Sequence, residues 1–176
     1  MKTLYRDLLV ELERAITKRN PVLAQRLRPG RSEASVRRSL ERAGVSGCVK
    51  PVVALFSWKN GSNLDPSVPR EQVSPFPKSG YFLFMPLSFT VGHFGEFSAY
   101  IASNPRMKEV GGKYFPLFWN GKSGWLAVDL NPAKNSRVVL IESQAENPVL
   151  EAFPSFEEFI SDAIRANREN NSLRCF

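Results

Sequence analysis

The segment from Tyr114 to Ile164 constrains the fold most, because it has the pattern of three strands joined by short polar turns and followed by an amphipathic helix. The predicted strands span residues 115–119, 124–130 and 137–141, and the turns between them, NGKSG and NPAKNS, contain strong turn-forming residues. Consecutive strands with such short connections pair antiparallel. The closing helix is predicted to bury one apolar face, formed by Phe156, Phe159, Ile160 and Ala163.

The sequence before this segment predicts mainly helices. Apolar residues recur at helical spacing within residues 3–19, 32–44, 49–58 and 86–103. Residues 62–79 contain four prolines without periodicity and predict a loop, whereas residues 81–85 predict a short aromatic strand. Gly92 and Gly95 either weaken the helix that contains them or allow another element to pack closely against it. This order indicates an α+β fold with N-terminal helices, a central, mostly antiparallel sheet and a C-terminal helix packed on it.

The length of 176 residues is typical of one domain, which we expect to span residues 1–176. Residues 1–20 predict an additional N-terminal helix, and the polar segment 168–176 predicts a flexible tail. The chain has no apolar run of about 18 residues, so we expect no membrane span. Its N-terminus mixes acidic and basic residues into the apolar pattern, unlike a secretory signal peptide, which predicts a cytoplasmic location.

Positive charge is concentrated in the N-terminal part of the chain. The net charge is +7; residues 1–50 hold 12 Lys and Arg against 5 Asp and Glu, whereas residues 51–176 hold 12 of each. Arg31 precedes one predicted helix, and Arg38 and Arg42 lie on it with no acidic residue four positions away. We therefore predict a basic contact patch that binds an acidic surface of a protein partner. A solvated helix face without a partner is the competing interpretation.

Two tryptophans and one turn residue are further candidates for partner binding. Trp58 and Trp119 each lie just before an Asn-Gly pair, and tryptophan anchors often dominate protein interfaces. Asn60 belongs to the first of these pairs and is a candidate for a ligand-binding turn. The competing interpretations are core packing for the tryptophans and a helix end that needs positive φ for the Asn-Gly pair. For Trp125, which shares its strand with an alanine and an aspartate, we expect a core position.

The residues that catalysis or metal binding would need are sparse. Cys48, Cys175 and His93 are the only cysteines and histidine, too few for a four-ligand zinc site. His93 has no nearby nucleophile for general-base catalysis, and Asp129, just before an Asn-Pro pair, is typical of a turn-stabilising side chain. Neither a phosphate-binding glycine loop nor a serine elbow occurs in the sequence. We therefore predict no catalytic residue, cofactor or metal, and a protein that is not an enzyme.

Four blocks of the sequence, in this order, resemble the SUKH superfamily, in particular its Smi/Knr type, named after fungal cell-wall regulators. The blocks are LRPGRSEASVRRSLERAGV, VVALFSWKNGS, YFLFMPLSFTV, and FPLFWNGKSGWLAVDLNP followed by FPSFEEFISDAI, and together they span Leu27 to Ile164. They are similar to the family's opening helix, its helix end at an Asn-Gly pair, its strand with a Pro-Leu helix start, and its hairpin with the closing helix. The resemblance implies a single SUKH-like domain.

The resemblance also implies a non-enzymatic, protein-binding function. Bacterial members are typically immunity proteins, which bind and neutralise a cognate toxin, and the compact size of this chain is similar to theirs. Fungal members act as signalling scaffolds. We expect an immunity protein whose toxin has an acidic surface; the alternative is a basic nucleic-acid-binding or signalling scaffold protein. Against nucleic-acid binding, the basic excess lies in the N-terminal helices, whereas most aromatic residues lie in the half that contains the strands.

Overall fold

The elements of the chain follow the predicted order of helices, a sheet and a closing helix. A computed structural model describes residues 3–63, 69, 73–79, 82–108, 114–142, 145 and 148–175. The helices are α1 (Thr3–Arg19), α2 (Pro21–Arg26), α3 (Glu33–Arg42), α4 (Lys50–Trp58), α5 (Leu87–Ser103), α6 (Pro105–Lys108) and α7 (Phe156–Glu169). The strands are β1 (Leu27–Pro29), β2 (Lys59–Ser62), β3 (Leu83–Phe84), β4 (Tyr114–Trp119), β5 (Gly124–Asp129), β6 (Val138–Glu142) and β7 (Val149–Phe153).

Side-chain caps fix where several helices begin. The Ser32 hydroxyl accepts a hydrogen bond from the Ser35 amide at 3.3 Å, which confirms the predicted start of α3. The Ser155 hydroxyl accepts one from the Glu158 amide at 3.1 Å and opens α7 in the same way. Asn20 follows the last residue of α1 and also caps α2. The sequence did not predict α2, because its six residues are too few to show helical periodicity.

The main sheet has the strand order β3-β4-β5-β6-β7, and β1 and β2 form a separate pair. Every neighbouring pair in the main sheet is antiparallel, which confirms the predicted α+β class and its antiparallel sheet. Strand β7 was not predicted, because its sequence VLEAF has no regular alternation of apolar and polar residues.

The two faces of the sheet pack against different helices. Alternate residues such as Leu126, Val128 and Leu140 point into the main core, which also contains the buried residues of α1, α4 and α7. The residues between them, such as Ala127 and Val139, form a second cluster with apolar residues of α5. Helix α5 therefore lies on the second face of the sheet, and this placement creates the candidate site.

Helix α1, the predicted additional N-terminal helix, contributes several residues to the main core. Leu9, Leu12 and Ile16 are almost fully buried and belong to the same cluster as the apolar residues of the sheet. The Tyr5 ring packs edge-on against Phe156 of α7, with the ring centroids 5.4 Å apart. Removing residues 1–20 would therefore expose the face of α7 that α1 covers.

The C-terminal segment, which the sequence analysis predicts to be a flexible tail, contacts the domain through Leu173, Arg174 and Cys175 in the structure. Leu173 is fully buried, and its amide donates a hydrogen bond to the Ser79 hydroxyl at 2.6 Å. The Arg174 amide donates to a carboxylate oxygen of Asp162 at 2.8 Å. Cys175 is half-buried against the core, and burial raises the pKa of its thiol to about 11. A single buried leucine in a polar segment gives no periodic signal, so the sequence did not predict this anchoring.

Candidate functional site

Two tryptophans lie side by side on the second face of the sheet. Trp119 on β4 and Trp125 on β5 are direct cross-strand partners, and both side chains are half-buried. The turn between the strands fixes this tryptophan pair, because the Asn120 side-chain oxygen accepts hydrogen bonds from the amides of Lys122 and Gly124, each at 2.9 Å. The predicted strands and turn thus place one predicted site residue, Trp119, next to one that was expected in the core.

Helix α5 presents a strip of four side chains towards the tryptophan pair. Their spacing of four, three and four residues places them on one face of the helix. This helical strip consists of Phe89, His93, Glu96 and Tyr100, all exposed or half-buried. The Phe89 ring stacks on Trp119 with centroids 6.4 Å apart and an interplanar angle of 21°, and the Tyr100 ring lies 6.3 Å from that of Trp125.

The helical strip and the tryptophan pair form the two walls of an aromatic groove with a volume of about 420 Å³. Its other lining residues are mainly apolar and include Met85, Pro116 and Phe118. Phe89 is 40% exposed, which is unusual for a phenylalanine, and it is one of few large apolar side chains on the described surface. Apolar grooves with a few polar groups are the usual form of a binding site.

Among the described residues that line the groove, Glu96 is the only Asp, Glu, Lys or Arg. Glu96 is exposed, and no Lys or Arg lines the groove in the part of the chain that the structure describes. The His93 ring stacks on the Phe89 ring with centroids 4.1 Å apart, and its Nδ1 lies 2.9 Å from the Phe89 carbonyl oxygen. His93 thus shapes the groove and shows no contact with a catalytic partner among the described residues.

Asn60, a predicted site residue, positions the helical strip from another element. Its side-chain oxygen accepts a hydrogen bond from the Leu87 amide at 3.1 Å and so caps the first turn of α5. The cap residue itself, Pro86, supplies no side-chain hydrogen bond. Gly61 has a φ of 79°, and an added Cβ would lie 2.5 Å from the Pro86 nitrogen. The Asn-Gly pair therefore holds the start of α5, and this contact between distant residues had no sequence signal.

Trp58, the second predicted tryptophan, joins helices within the chain. Its indole nitrogen donates a hydrogen bond to Glu13 Oε2 at 2.9 Å, and Glu13 Oε1 lies 2.7 Å from the Lys59 ammonium. Its ring stacks on Phe84 with centroids 6.5 Å apart. These contacts connect α4 to α1 and β3, so Trp58 lies away from the aromatic groove and has a packing role.

The three predicted arginines differ in how the structure uses them. Arg31 is half-buried and donates hydrogen bonds to the hydroxyls of Ser35 at 2.7 Å and Ser39 at 3.4 Å. Arg38 and Arg42 are exposed and form no ion pair with any described residue. Only this arginine pair, Arg38 and Arg42, is therefore available as the predicted basic patch.

A larger cleft of about 800 Å³ lies on the other flank of α5. It is lined by the turns around Gly47 and Asn131 and by Phe97, Ile101 and Tyr114, which are buried. Because its aromatic side chains are already packed within the chain, this cleft offers a partner fewer anchors than the aromatic groove does. We therefore regard the smaller groove as the candidate site.

Asp129 has the structural role that the sequence predicted. It is fully buried, and its carboxylate accepts hydrogen bonds from the Asn131 amide and from Arg137 Nε, each at 2.9 Å. The first bond is the predicted turn contact. Within the described residues, no three His, Cys, Asp or Glu side chains are grouped so that they could hold a metal ion. None of the described helices combines the length and apolarity needed to cross a membrane.

The sequence pointed to Trp119 but missed the helical strip that completes the groove. The spacing of Phe89, His93, Glu96 and Tyr100 was present in the sequence, but the pattern was interpreted only for the buried face of α5. No protein-family model matches the chain, and no curated protein matches it.

Proposed function

We propose that this chain is a non-enzymatic SUKH-like protein-binding domain that binds and neutralises a cognate toxin, as bacterial immunity proteins do. The observation that carries this proposal is the aromatic groove, in which exposed or half-buried Phe89, Tyr100, Trp119 and Trp125 face solvent on two rigid walls. Tyrosine and tryptophan are the residues that most often dominate the binding energy of protein interfaces. The resemblance to the SUKH superfamily supports a toxin as the partner, and the proposal includes a cytoplasmic location.

Neutralisation would work by steric occlusion. The turn at Asn120 and the stacking of Phe89 on Trp119 hold these rings before a partner arrives, so little conformational entropy is lost on binding. A toxin segment seated in the groove would be covered by α5 and the β4–β5 hairpin, and its active site or target surface would be blocked. The arginine pair on α3 would speed the encounter with an acidic patch elsewhere on the toxin.

Nucleic-acid binding is less well supported by the same geometry. A stacking platform for bases works together with basic side chains that neutralise the phosphates. The aromatic groove has no Lys or Arg among its described lining residues, and the exposed arginine pair lies on a different helix. The rings on which bases could stack and the arginines that could neutralise phosphates therefore lie on different parts of the molecule.

Co-expression with the product of the upstream neighbouring gene, the candidate toxin, tests the proposal through rescue of growth. The unchanged chain should restore growth. Phe89→Ala should weaken the rescue, because it removes an exposed aromatic ring from the helical strip that forms one wall of the groove. Val22→Ala is the matched control, since Val22 on α2 is 45% exposed and lies outside the groove. The proposal is contradicted if the unchanged chain does not restore growth. It is also contradicted if Phe89→Ala restores growth as well as Val22→Ala does and both purified variants bind the toxin with unchanged affinity.

A further inference from the structure

We propose that the aromatic groove receives a cationic side chain, an arginine or lysine of the partner protein, between the Trp125 and Tyr100 rings and the Glu96 carboxylate. This inference rests on the proposed function and specifies the chemistry of the partner at the same site. Three independent features of the groove support it: its charge, the geometry of its rings and its unused hydrogen-bonding groups.

The charge of the groove is opposite to that of the chain. The chain carries a net charge of +7, yet among the described residues that line the groove Glu96 is the one Asp, Glu, Lys or Arg. Glu96 is exposed, and it has no ion pair or hydrogen bond with any described residue. A cation in the groove would therefore meet an attractive carboxylate and no Lys or Arg among the described lining residues.

The rings beside Glu96 leave room for a flat or elongated cation. The Trp125 indole is approached by Phe97 at 5.7 Å and 67° and by Tyr100 at 6.3 Å and 47°, so neither ring lies flat on it. By contrast, Trp119 is already stacked on Phe89 at 21°. Guanidinium and ammonium groups are attracted to the faces of tryptophan and tyrosine rings, and arginine combines this stacking with hydrogen bonds to a carboxylate.

The indole N–H groups separate Trp125 from the other tryptophans. The chain has three tryptophans; Trp58 donates its N–H to Glu13, and Trp119 donates its N–H to the Lys122 carbonyl at 3.0 Å. The Trp125 N–H and the Tyr100 hydroxyl have no hydrogen bond with any described residue. They can bond to the backbone or side chain of a segment that carries the cation.

Other anchors fit this arrangement less well. An acidic side chain would be repelled by Glu96 and by the negative faces of the rings. A purely apolar side chain would remove water from Glu96, the Tyr100 hydroxyl and the Trp125 N–H without replacing their hydrogen bonds. A partner that inserts a basic side chain here and meets the arginine pair with an acidic patch would be oriented by two charges of opposite sign.

The test is a titration of the full, ¹⁵N-labelled chain with N-acetyl-arginine amide, followed at the indole N–H signals. The neutral isostere N-acetyl-citrulline amide is the matched ligand. We expect arginine amide to shift the Trp125 signal and to leave the Trp58 signal in place. Glu96→Gln should weaken arginine binding by about fivefold, the upper range for one exposed ion pair. The control Glu41→Gln removes an exposed carboxylate of α3 and should change nothing.

Equal shifts with citrulline amide, or an unchanged affinity in Glu96→Gln, would overturn the inference. Both Glu96 and Glu41 are exposed on helices, so neither variant threatens the fold, and circular dichroism verifies this. Binding of the toxin separates the two proposals. If Glu96→Gln binds the toxin as tightly as the unchanged chain, the cation inference fails and the proposed function remains. If arginine amide binds but the toxin does not, the proposed function fails.

Discussion

Trp119 and Trp125 lie directly opposite each other on adjacent antiparallel strands, yet they use their indole groups differently. Trp119 is tied down by its hydrogen bond to the Lys122 carbonyl and by its stack on Phe89, whereas Trp125 keeps its N–H free of any described partner. The hairpin thus places one anchored indole beside one that is ready to bind. The hairpin and the anchored Trp119 fix the wall that the sheet contributes. Whether the groove forms therefore depends on the position of α5, which is the other wall.

The first prediction concerns the cap of that helix. Asn60→Ala removes the acceptor of the Leu87 amide and leaves the first turn of α5 without a side-chain cap. The free energy of unfolding should fall by about 1 kcal/mol, the usual cost of a lost cap. Amide exchange in the first turn of α5 should accelerate more than exchange in β5, because the loss is local.

Asn63→Ala is the control for this variant. Asn63 is exposed just beyond β2, and among the described residues its side chain accepts only a long hydrogen bond of 3.4 Å from Arg28. Chemical denaturation of both variants gives the comparison. If Asn60→Ala is no less stable than Asn63→Ala, the cap does not hold the helix and its role in the groove must be given up.

This cap also shows what a sequence can and cannot predict here. Local signals identified the helix start at Ser32, the turn at Asn120 and the strand β5, since each depends on residues within a few positions. The contact from Asn60 to Leu87 joins two elements that are far apart in sequence, so its acceptor looked like a turn residue with a free side chain. Most of the fold can be predicted from such local signals, whereas the candidate site depends on contacts between residues that are far apart in sequence.

Trp125 illustrates the same limit for the groove. Its strand was predicted, but not the helix that would face it, so a core position was the natural expectation. In the structure α5 covers this face of the sheet incompletely and leaves Trp125 half-buried beside a groove. Which residues of a sheet are exposed depends on how other elements pack on it, and the sequence of a single strand does not predict that packing.

The second prediction concerns Gly92 and Gly95 on α5. An added Cβ at either position would meet no atom within 4 Å, so neither glycine permits the close packing that the sequence left open. Gly92→Ala and Gly95→Ala should each raise the free energy of unfolding by about 1 kcal/mol, because alanine favours the helix. Gly61→Ala should have the opposite effect, since its φ is 79° and its Cβ would clash with Pro86. Urea denaturation checks both signs, and a loss of stability in the α5 variants contradicts the prediction.

The third prediction concerns the arginine pair. The double variant Arg38→Glu with Arg42→Glu should slow association with the proposed toxin partner by about tenfold at low salt and flatten the salt dependence of the rate. Dissociation should change little, because rim charges act mainly on the encounter. Stopped-flow measurements at several salt concentrations provide the rates.

The control for this variant must carry the same change in net charge. Arg14→Glu with Lys18→Glu meets this requirement, since both residues are exposed on α1. An equal effect of the two double variants would show that overall charge, and not a patch on α3, controls association. Unchanged kinetics in both would remove the electrostatic part of the proposed function.

The fourth prediction concerns the titration of Cys175. Burial raises the pKa of its thiol from 9.0 to about 11, so the folded state keeps this proton at a pH at which the unfolded state has lost it. The stabilisation is complete below pH 9 and is lost as the pH rises from 9 towards 11. Cys175→Ala should therefore flatten the fall in melting temperature over this interval. An unchanged slope would show that the thiol is solvated as in the unfolded chain.

The fifth prediction tests whether the C-terminal segment belongs to the domain. Leu173 is fully buried, and its amide is bonded to Ser79. Leu173→Ala should lower the free energy of unfolding by about 3 kcal/mol, because it leaves a cavity in the main core. It should also speed alkylation of the neighbouring Cys175, because the segment that buries this thiol is loosened. Asn171→Ala, at an exposed position of the same segment, should stay within about 0.5 kcal/mol of the unchanged chain. If both variants are equally stable, the segment is flexible, as its composition alone predicts.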